Sequence, residues 1–174
     1  MNAAFWAFSL RFYQLDGVSE SCLELQDHYG ADVNMVLFAL WTASSGHLLD
    51  AAAIADAERT ARPWREAVTR PLRAARRALK AGLDGFDAAD IAALRQHVMA
   101  AELEAERLQQ GAMAARLAAD AQGNRLDAAR ENLRRYEAQV GKPFGAGPIE
   151  RLLKAFVAEF GETIGDGEAV VERS

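Results

Sequence analysis

Glu24, Asp27 and His28 are the residues of this chain best suited by type and spacing to metal chemistry. Glu24 and His28 are four residues apart, so on a helix they would share one face. A carboxylate-bridged metal centre in a helical bundle needs two Glu-x-x-His pairs and two further glutamates, and this chain has no Glu-x-x-His. His47 and His97 show no spacing that links them to His28. The sequence therefore predicts no metal site.

The motifs of nucleophilic catalysis and of cofactor binding are missing as well. Cys22 is the single cysteine, and on an amphipathic helix without a nearby histidine base it is expected to be a small buried thiol. Residues 44–47, Ser-Ser-Gly-His, lack the signature of a nucleophile elbow. The chain has no Gly-x-Gly-x-x-Gly and no Gly-Lys-Ser/Thr loop, so we predict neither a cofactor nor a catalytic residue.

Residues 30–34, Gly-Ala-Asp-Val-Asn, separate two predicted helices. A glycine just past one helix and an aspartate just before the next are typical of a C-terminal and an N-terminal cap. Capping therefore explains Gly30 and Asp32 without any further function. Asn34 would lie in the first turn of the second helix, where it could bond to a neighbouring loop or to a ligand at the positive helix end.

A strongly basic segment runs from residue 59 to residue 80 and carries eight basic residues against one acid, Glu66. The basic residues are Arg59, Arg62, Arg65, Arg70, Arg73, Arg76, Arg77 and Lys80. One interpretation is internal pairing with the acidic residues of the following helix, which are Asp84, Asp87, Asp90, Glu102, Glu104 and Glu106. The other is a site where Arg73, Arg76, Arg77 and Lys80 face a phosphate, a nucleic acid or an acidic partner. We favour internal pairing.

The first thirteen residues hold five of the fourteen aromatic residues, namely Phe5, Trp6, Phe8, Phe12 and Tyr13. Their helical spacing predicts a stripe that packs into the core. The alternative is a detachable amphipathic helix that docks on a partner, with Trp6 and Tyr13 at the interface.

Composition limits the classes of function. A net charge of -5 and a pI near 5.3 argue against a general nucleic-acid binder, because binding to phosphates favours a basic surface. No apolar stretch approaches the roughly 18 residues of a membrane span, and the N-terminus lacks the pattern of a secretory signal. With one cysteine no internal disulfide can form, so we expect a cytoplasmic protein. The sequence is compatible with a homo-oligomer.

The periodicity of apolar residues predicts an all-α fold with no strand. We expect a single helical-bundle-like domain of about seven to eight helices over residues 1–160, followed by a flexible acidic tail over residues 161–174. A long helix is expected near residues 87–119, and it forms a helical hairpin with residues 124–140. Pro63 is expected at the first position of a helix, and Pro71 is expected to kink that helix near residues 67–71.

The stretches FWAFSLRFYQLDGVSESCLELQDHYGADVNMVLFALW, WREAVTRPLRAARRALK and AAELEAERLQ resemble a family of small bacterial proteins known only as a domain of unknown function. The resemblance covers most of residues 1–160 and implies a cytoplasmic helical protein. It implies no activity and no catalytic residue. The characteristic polar positions of the family correspond here to Gln26, Asp27, Asp32, Asn34, Arg73, Arg77, Glu102 and Glu106, which form a site or tie helices together.

Two functions follow as expectations. The first is a non-enzymatic module that binds another protein through the aromatic N-terminal helix or the basic helix, with Trp6, Tyr13, Arg76 and Lys80 as contact residues. The second is a binder of a small anionic or hydrophobic ligand, or an enzyme acting on one, in an interhelical pocket. We expect that pocket to be lined by Asp32, Asn34, Arg73, Arg77 and Glu102, with Gln26, Asp27 and Glu106 beside them.

Overall fold

A computed structural model describes residues 3–82, 84–117 and 123–163 of the chain. These residues form α1 (Ala3–Phe12), α2 (Val18–Tyr29), α3 (Val33–Ser44), α4 (Ala51–Trp64), a π-helical turn (Arg65–Thr69), α5 (Arg70–Ala81), α6 (Ala88–Ala114), α7 (Arg125–Val140) and α8 (Ala146–Phe160). The described ranges contain no strand, so the predicted all-α fold is confirmed. Because α4, the π-turn and α5 follow one another without a break, the described residues form seven continuous helical segments.

The helix expected to begin at Pro63 does not begin there. Instead α4 continues through Pro63 and runs directly into the π-turn and α5. A proline inside a helix loses one backbone hydrogen bond, and here the helix continues while packing against α6 and α7. The π-turn lies where a kink was expected, just before Pro71, and Arg70 donates its N–H to the carbonyl of Arg65.

The long helix is shorter than predicted, because α6 ends at Ala114. Its last backbone bonds tighten into a turn, as Arg116 and Leu117 donate to carbonyls three residues back. The helix predicted over residues 124–140 is observed as α7, which begins after the cap Asn124 and ends before Gly141, whose φ is 75°. The predicted hairpin with the long helix is not observed among the described residues, because α7 packs mainly on α3 and hardly touches α6. Of the predicted acidic tail, residues 164–174 lie outside the described residues.

The aromatic stripe of α1 forms part of the main hydrophobic core, as predicted. Phe5, Phe8 and Phe12 are buried, and Phe5 stacks on Trp41 of α3 with ring centroids 4.8 Å apart. Phe12 meets Phe156 of α8 edge to face. Aromatic pairs of this kind stabilise a core by about 0.5–1.5 kcal/mol beyond the area that they bury. The helix α1 is therefore integral to the fold and not a separable element.

One buried asparagine joins α7 to the loop after α3. The side chain of Asn132 is fully buried, accepts a hydrogen bond from the Leu49 N–H at 2.8 Å, and donates to the carbonyls of Ala39 and His47. It thereby satisfies backbone groups of His47 and Leu49 in the loop after α3 and also binds the helical carbonyl of Ala39.

The helix α5 and residues 88–101 of α6 form a two-helix arm. No residue of α5 is buried, and the buried residues of α6 begin only at Glu102. The two helices of the arm pack mainly on each other. Within the described part of the chain, no helix has the length and apolar character that a membrane crossing requires.

Candidate functional site

A cleft of about 350 Å³ lies between the arm and the helices α1, α2 and α3. One part of its wall is apolar, and the other part is charged or polar. The apolar part includes Trp6, Leu10, Leu23, Leu37, Met99 and Leu103, while the polar part includes Gln26, Arg73, Arg76, Arg77, Glu102 and Glu106. The volume falls in the range of about 300–1,000 Å³ that is usual for small-molecule sites.

Arg73 organises the charged wall and links the arm to α2. Its Nε lies 3.1 Å from Glu102 Oε1, and its Nη2 lies 3.0 Å from Glu106 Oε1. The remaining Nη1 donates to the side-chain oxygen of Gln26 on α2. Arg76 holds the second oxygen of Glu102 at 2.5 Å. Within the described residues, both oxygens of Glu102 are thus bound by arginine, whereas only one oxygen of Glu106 is.

This arrangement shifts the pKa values of the two glutamates in opposite directions. Burial alone would raise the pKa of Glu102, but hydrogen bonds from Arg76 and Arg73 outweigh it and the pKa is lowered. Burial raises the pKa of Glu106 above its ordinary value, and the contact with Arg73 offsets only part of that rise. Tyr13, at the same cleft, has its pKa raised to about 12, chiefly by burial. Neighbouring carboxyls with divergent pKa values are typical of functional sites and also of structural networks.

The outer cation of the cleft, Arg77, is held weakly. Its Nη2 lies 3.5 Å from Asp27 Oδ1, and both side chains are more than half exposed, at 56% and 52%. Exposed pairs of this kind contribute roughly 0–1 kcal/mol. Arg77 can therefore exchange Asp27 for another anion at little cost.

Asp32 lies behind the cleft and joins four parts of the fold. As predicted, it caps α3, because its Oδ1 accepts the N–H of Asn34 at 2.8 Å. Its Oδ2 accepts from Arg65 at 2.8 Å and from Gln109 of α6 at 2.9 Å. Its own N–H donates to the hydroxyl of Tyr136 on α7 at 2.7 Å. Asp32 is 7% exposed, so these hydrogen bonds are largely shielded from solvent.

Arg65 brings a second acid, Glu58, to Asp32. The Nη2 of Arg65 lies 2.7 Å from Glu58 Oε1, and the two side chains are only 15% and 10% exposed. Burial alone would lower the pKa of Arg65, but hydrogen bonds to Glu58 and Asp32 outweigh it and the pKa is raised. The guanidinium is therefore a permanent charge at the π-turn.

Asn34 forms the floor of the cleft through a chain of buried amides and a hydroxyl. Its Oδ1 accepts from Gln110 Nε2 at 2.8 Å, and Gln110 Oε1 accepts from the hydroxyl of Ser9 at 2.9 Å. This chain connects α3, α6 and α1. The side-chain oxygen that was expected to reach a loop or a ligand is thus bonded to α6.

Most of the residues singled out in the sequence line this cleft. Of the eight proposed for a ligand, Gln26, Asn34, Arg73, Arg77, Glu102 and Glu106 line it. Asp27 lies at its rim against Arg77, and Asp32 lines a separate pocket of about 60 Å³ that shares Gln26 and Arg73. Of the four proposed for a partner, Trp6, Tyr13 and Arg76 line the same cleft, while Lys80 does not.

The internal pairing of the basic segment is observed for Glu102 and Glu106, which bind Arg73 and Arg76. Glu104 instead pairs with Arg107 on its own helix, and Asp87 caps α6. The two interpretations of this segment turn out to be compatible, because the paired arginines also line the cleft.

Other chemistry finds little support in the structure. Cys22 is fully buried, and burial raises the pKa of its thiol to about 12, so it is a poor nucleophile. Glu24 pairs with Arg151 at 2.5 Å. In the described ranges no three histidine, cysteine, aspartate or glutamate residues are grouped as a metal site would require.

A family model for a protein of unknown function, DUF2390, matches residues 4–113, which is more than half of the chain. The chain belongs to the DUF2390 family. Every residue that lines the cleft lies within the matched stretch. No curated protein and no solved structure matches this DUF2390 protein.

The role of the buried Asp32–Arg65 pair can be measured by replacing Asp32→Asn in this DUF2390 protein. Asparagine keeps the cap but removes one of the two carboxylates beside Arg65 and turns an amide NH2 toward the donors of Arg65 and Gln109, which should lower the free energy of unfolding by about 1–3 kcal/mol. The matched control is Asp50→Asn at the exposed cap of α4, where asparagine is an equally good cap and the change should be below about 0.5 kcal/mol. Urea denaturation measures both, and equal effects would refute a special role for Asp32.

The opposite pKa shifts of Glu102 and Glu106 predict opposite effects of replacing each by glutamine. The raised pKa of Glu106 costs stability as pH rises from its ordinary value through its folded value, so Glu106→Gln should stabilise the protein at neutral pH. The lowered pKa of Glu102 contributes stability above the ordinary value, so Glu102→Gln should destabilise it. The effect of Glu106→Gln should be gone by about pH 4, below the ordinary pKa of a glutamate, whereas the effect of Glu102→Gln should largely persist there and fade only as pH falls further through the lowered pKa. Denaturation curves at pH 7.5 and pH 4 test this, and shifts of equal sign at neutral pH would contradict it.

Proposed function

We propose that this protein binds a small amphipathic anion in the cleft between the arm and the helices α1, α2 and α3. The observation that carries the proposal is a single cleft of about 350 Å³ whose wall joins a group of large apolar side chains to three arginines. A molecule with an apolar body and an anionic end matches both parts of this wall.

The apolar wall supports an apolar ligand body. Leu10, Leu23 and Leu103 are 44%, 45% and 49% exposed although each lines the cleft. Large apolar side chains exposed in one concave patch mark binding sites more often than leucines scattered over a convex surface. A bound hydrocarbon would remove them from water and gain about 25 cal/mol for each Å² buried.

The charged wall supports an anionic end. Three arginines line the cleft against two glutamates, and the glutamates already bind Arg73 and Arg76. Among the residues that the structure describes, Arg77 is held only by its long contact with exposed Asp27. A carboxylate or phosphate of the ligand would replace Asp27 and gain the two-pronged geometry that guanidinium offers to such groups.

A protein-binding role is less well supported by the same geometry. Trp6, Tyr13 and Arg76 all face the cleft, and its volume lies in the range of small-molecule sites. A stable protein interface instead buries roughly 800 Å² of surface on each partner. We propose no reaction. We further propose that the protein works in the bacterial cytoplasm, which the single cysteine supports, because its buried thiol requires no oxidising compartment.

The binding proposal is tested by calorimetric titration with dodecanoate as the probe. We expect saturable binding to the wild-type protein. Leu103→Glu places a charge in the apolar wall and should weaken binding at least about tenfold, since burying an unpaired charge costs well over 1.4 kcal/mol. Arg77→Gln removes the available cation and should weaken binding about three- to tenfold.

The chain offers a matched control for each variant. Leu48 is as exposed as Leu103, at 51%, and lies outside the cleft, so Leu48→Glu should bind dodecanoate like the wild type. Arg134 of α7 is exposed and paired with Glu131 on its own helix, so Arg134→Gln should have no effect. Absence of saturable binding, or equal losses in the controls, would refute the proposal.

A further inference from the structure

A row of exposed residues follows α6 on the side turned away from the cleft. Its members recur at spacings of three and four, which keeps them on one helix face. They are Leu94, His97, Ala101, Glu104, Leu108 and Ala112, all of them exposed. We call this row the outer face of α6. Leu94 and Leu108 are 52% and 41% exposed, so the outer face presents two large apolar side chains to solvent.

The cleft uses other residues of the same helix. Met99, Glu102, Leu103 and Glu106 line the cleft, and none of them belongs to the outer face. With 100° of rotation per residue, Leu103 points about 160° away from Ala101. A molecule bound at the outer face would therefore leave the cleft open.

The outer face is arranged symmetrically about Ala101. Leu94 precedes Ala101 by seven residues and Leu108 follows it by seven. If a second α6 runs antiparallel across a two-fold axis at Ala101, Leu94 of each copy lies level with Leu108 of the other. A residue spacing of seven on straight helices favours left-handed packing of this kind, and alanine at the centre permits close approach.

The charges of the outer face also fit an antiparallel copy. In that arrangement His97 of one copy lies within one residue of the level of Glu104 of the other, an exposed acid that Arg107 of its own helix also binds, and this juxtaposition occurs twice. A parallel arrangement would place Glu104 beside Glu104, and like charges at such positions are unfavourable. The two helix dipoles also oppose each other when the helices are antiparallel.

We infer that the outer face of α6 binds a second copy of this chain, antiparallel about a two-fold axis at Ala101. The interface is isologous, since the same residues serve on both copies. This interface leaves the two clefts on opposite sides of the helix pair. The inference does not depend on whether the cleft binds a ligand.

Disulfide capture of the full chain tests the axis directly. Ala101→Cys places two thiols across the two-fold axis and should give a covalent dimer on mild oxidation, seen on non-reducing gels. Ala93→Cys is the control, because it is equally exposed but lies eight residues from the axis. Its two copies would be about 24 Å apart, far beyond the roughly 7 Å between Cα atoms that a disulfide spans. The wild type should not cross-link, because Cys22 is buried.

Sedimentation velocity provides a second measurement on uncross-linked protein. The wild type should gain mass with concentration from the 18.9 kDa monomer toward the dimer. The double variant Leu94→Glu, Leu108→Glu should stay monomeric, whereas Leu48→Glu should behave as the wild type. The inference fails if Ala101→Cys gives no dimer, if Ala93→Cys cross-links equally well, or if the wild type stays monomeric at several hundred micromolar.

Discussion

The buried ion pair between Asp32 and Arg65 is the constraint on which the arrangement of helices around the cleft depends. A charge removed from water must be paired and hydrogen-bonded, so the carboxylate of Asp32 fixes where Arg65, Gln109 and the start of α3 lie. Arg65 is the first residue of the π-turn. The turn therefore holds the point from which α5 leaves the core, and with it the position of the arm.

The cleft follows from the way in which the arm is attached. No residue of α5 is buried, and among the described residues it packs on α6 and reaches α2 through the long side chains of Arg73 and Arg77. These long polar side chains bridge α5 and α2 across a gap that small apolar side chains could not span. The gap between the arm and α1 is thus maintained by polar groups and lined by the leucines that it leaves in contact with water.

Local features of the structure could be predicted from the sequence because their causes are local. Gly30 and Asp32 end and begin helices by backbone geometry and by one hydrogen bond to a near neighbour. The apolar spacing of Phe5, Phe8 and Phe12 requires a buried face wherever α1 packs. The charge contrast between residues 59–80 and the following helix indicated the contacts of Arg73 and Arg76, because helices that follow one another in the chain usually pack together.

Features that depend on tertiary contacts could not be predicted in this way. Arg65 was one of eight basic residues in its segment, and only the fold shows that it meets Asp32, which lies 33 positions away in the chain. The apolar wall of the cleft was missed because Leu10, Leu23 and Leu103 each belong to an ordinary amphipathic helix. The start of a helix was wrongly predicted at Pro63. Proline is common at the first position of a helix, but α4 continues through Pro63 although one backbone hydrogen bond is lost there.

The tryptophan indole signals in a ¹⁵N–¹H spectrum, recorded while dodecanoate is added, test the central claim most directly. Of the three tryptophans, Trp6 lines the cleft, Trp41 stacks on Phe5, and Trp64 donates its indole N–H to the carbonyl of Ala105 at 2.9 Å. If the cleft binds an amphipathic anion, the Trp6 signal shifts to saturation while that of Trp64 stays in place. If the Trp6 signal does not move, or if all three drift together without saturating, the cleft is not a binding site of this kind.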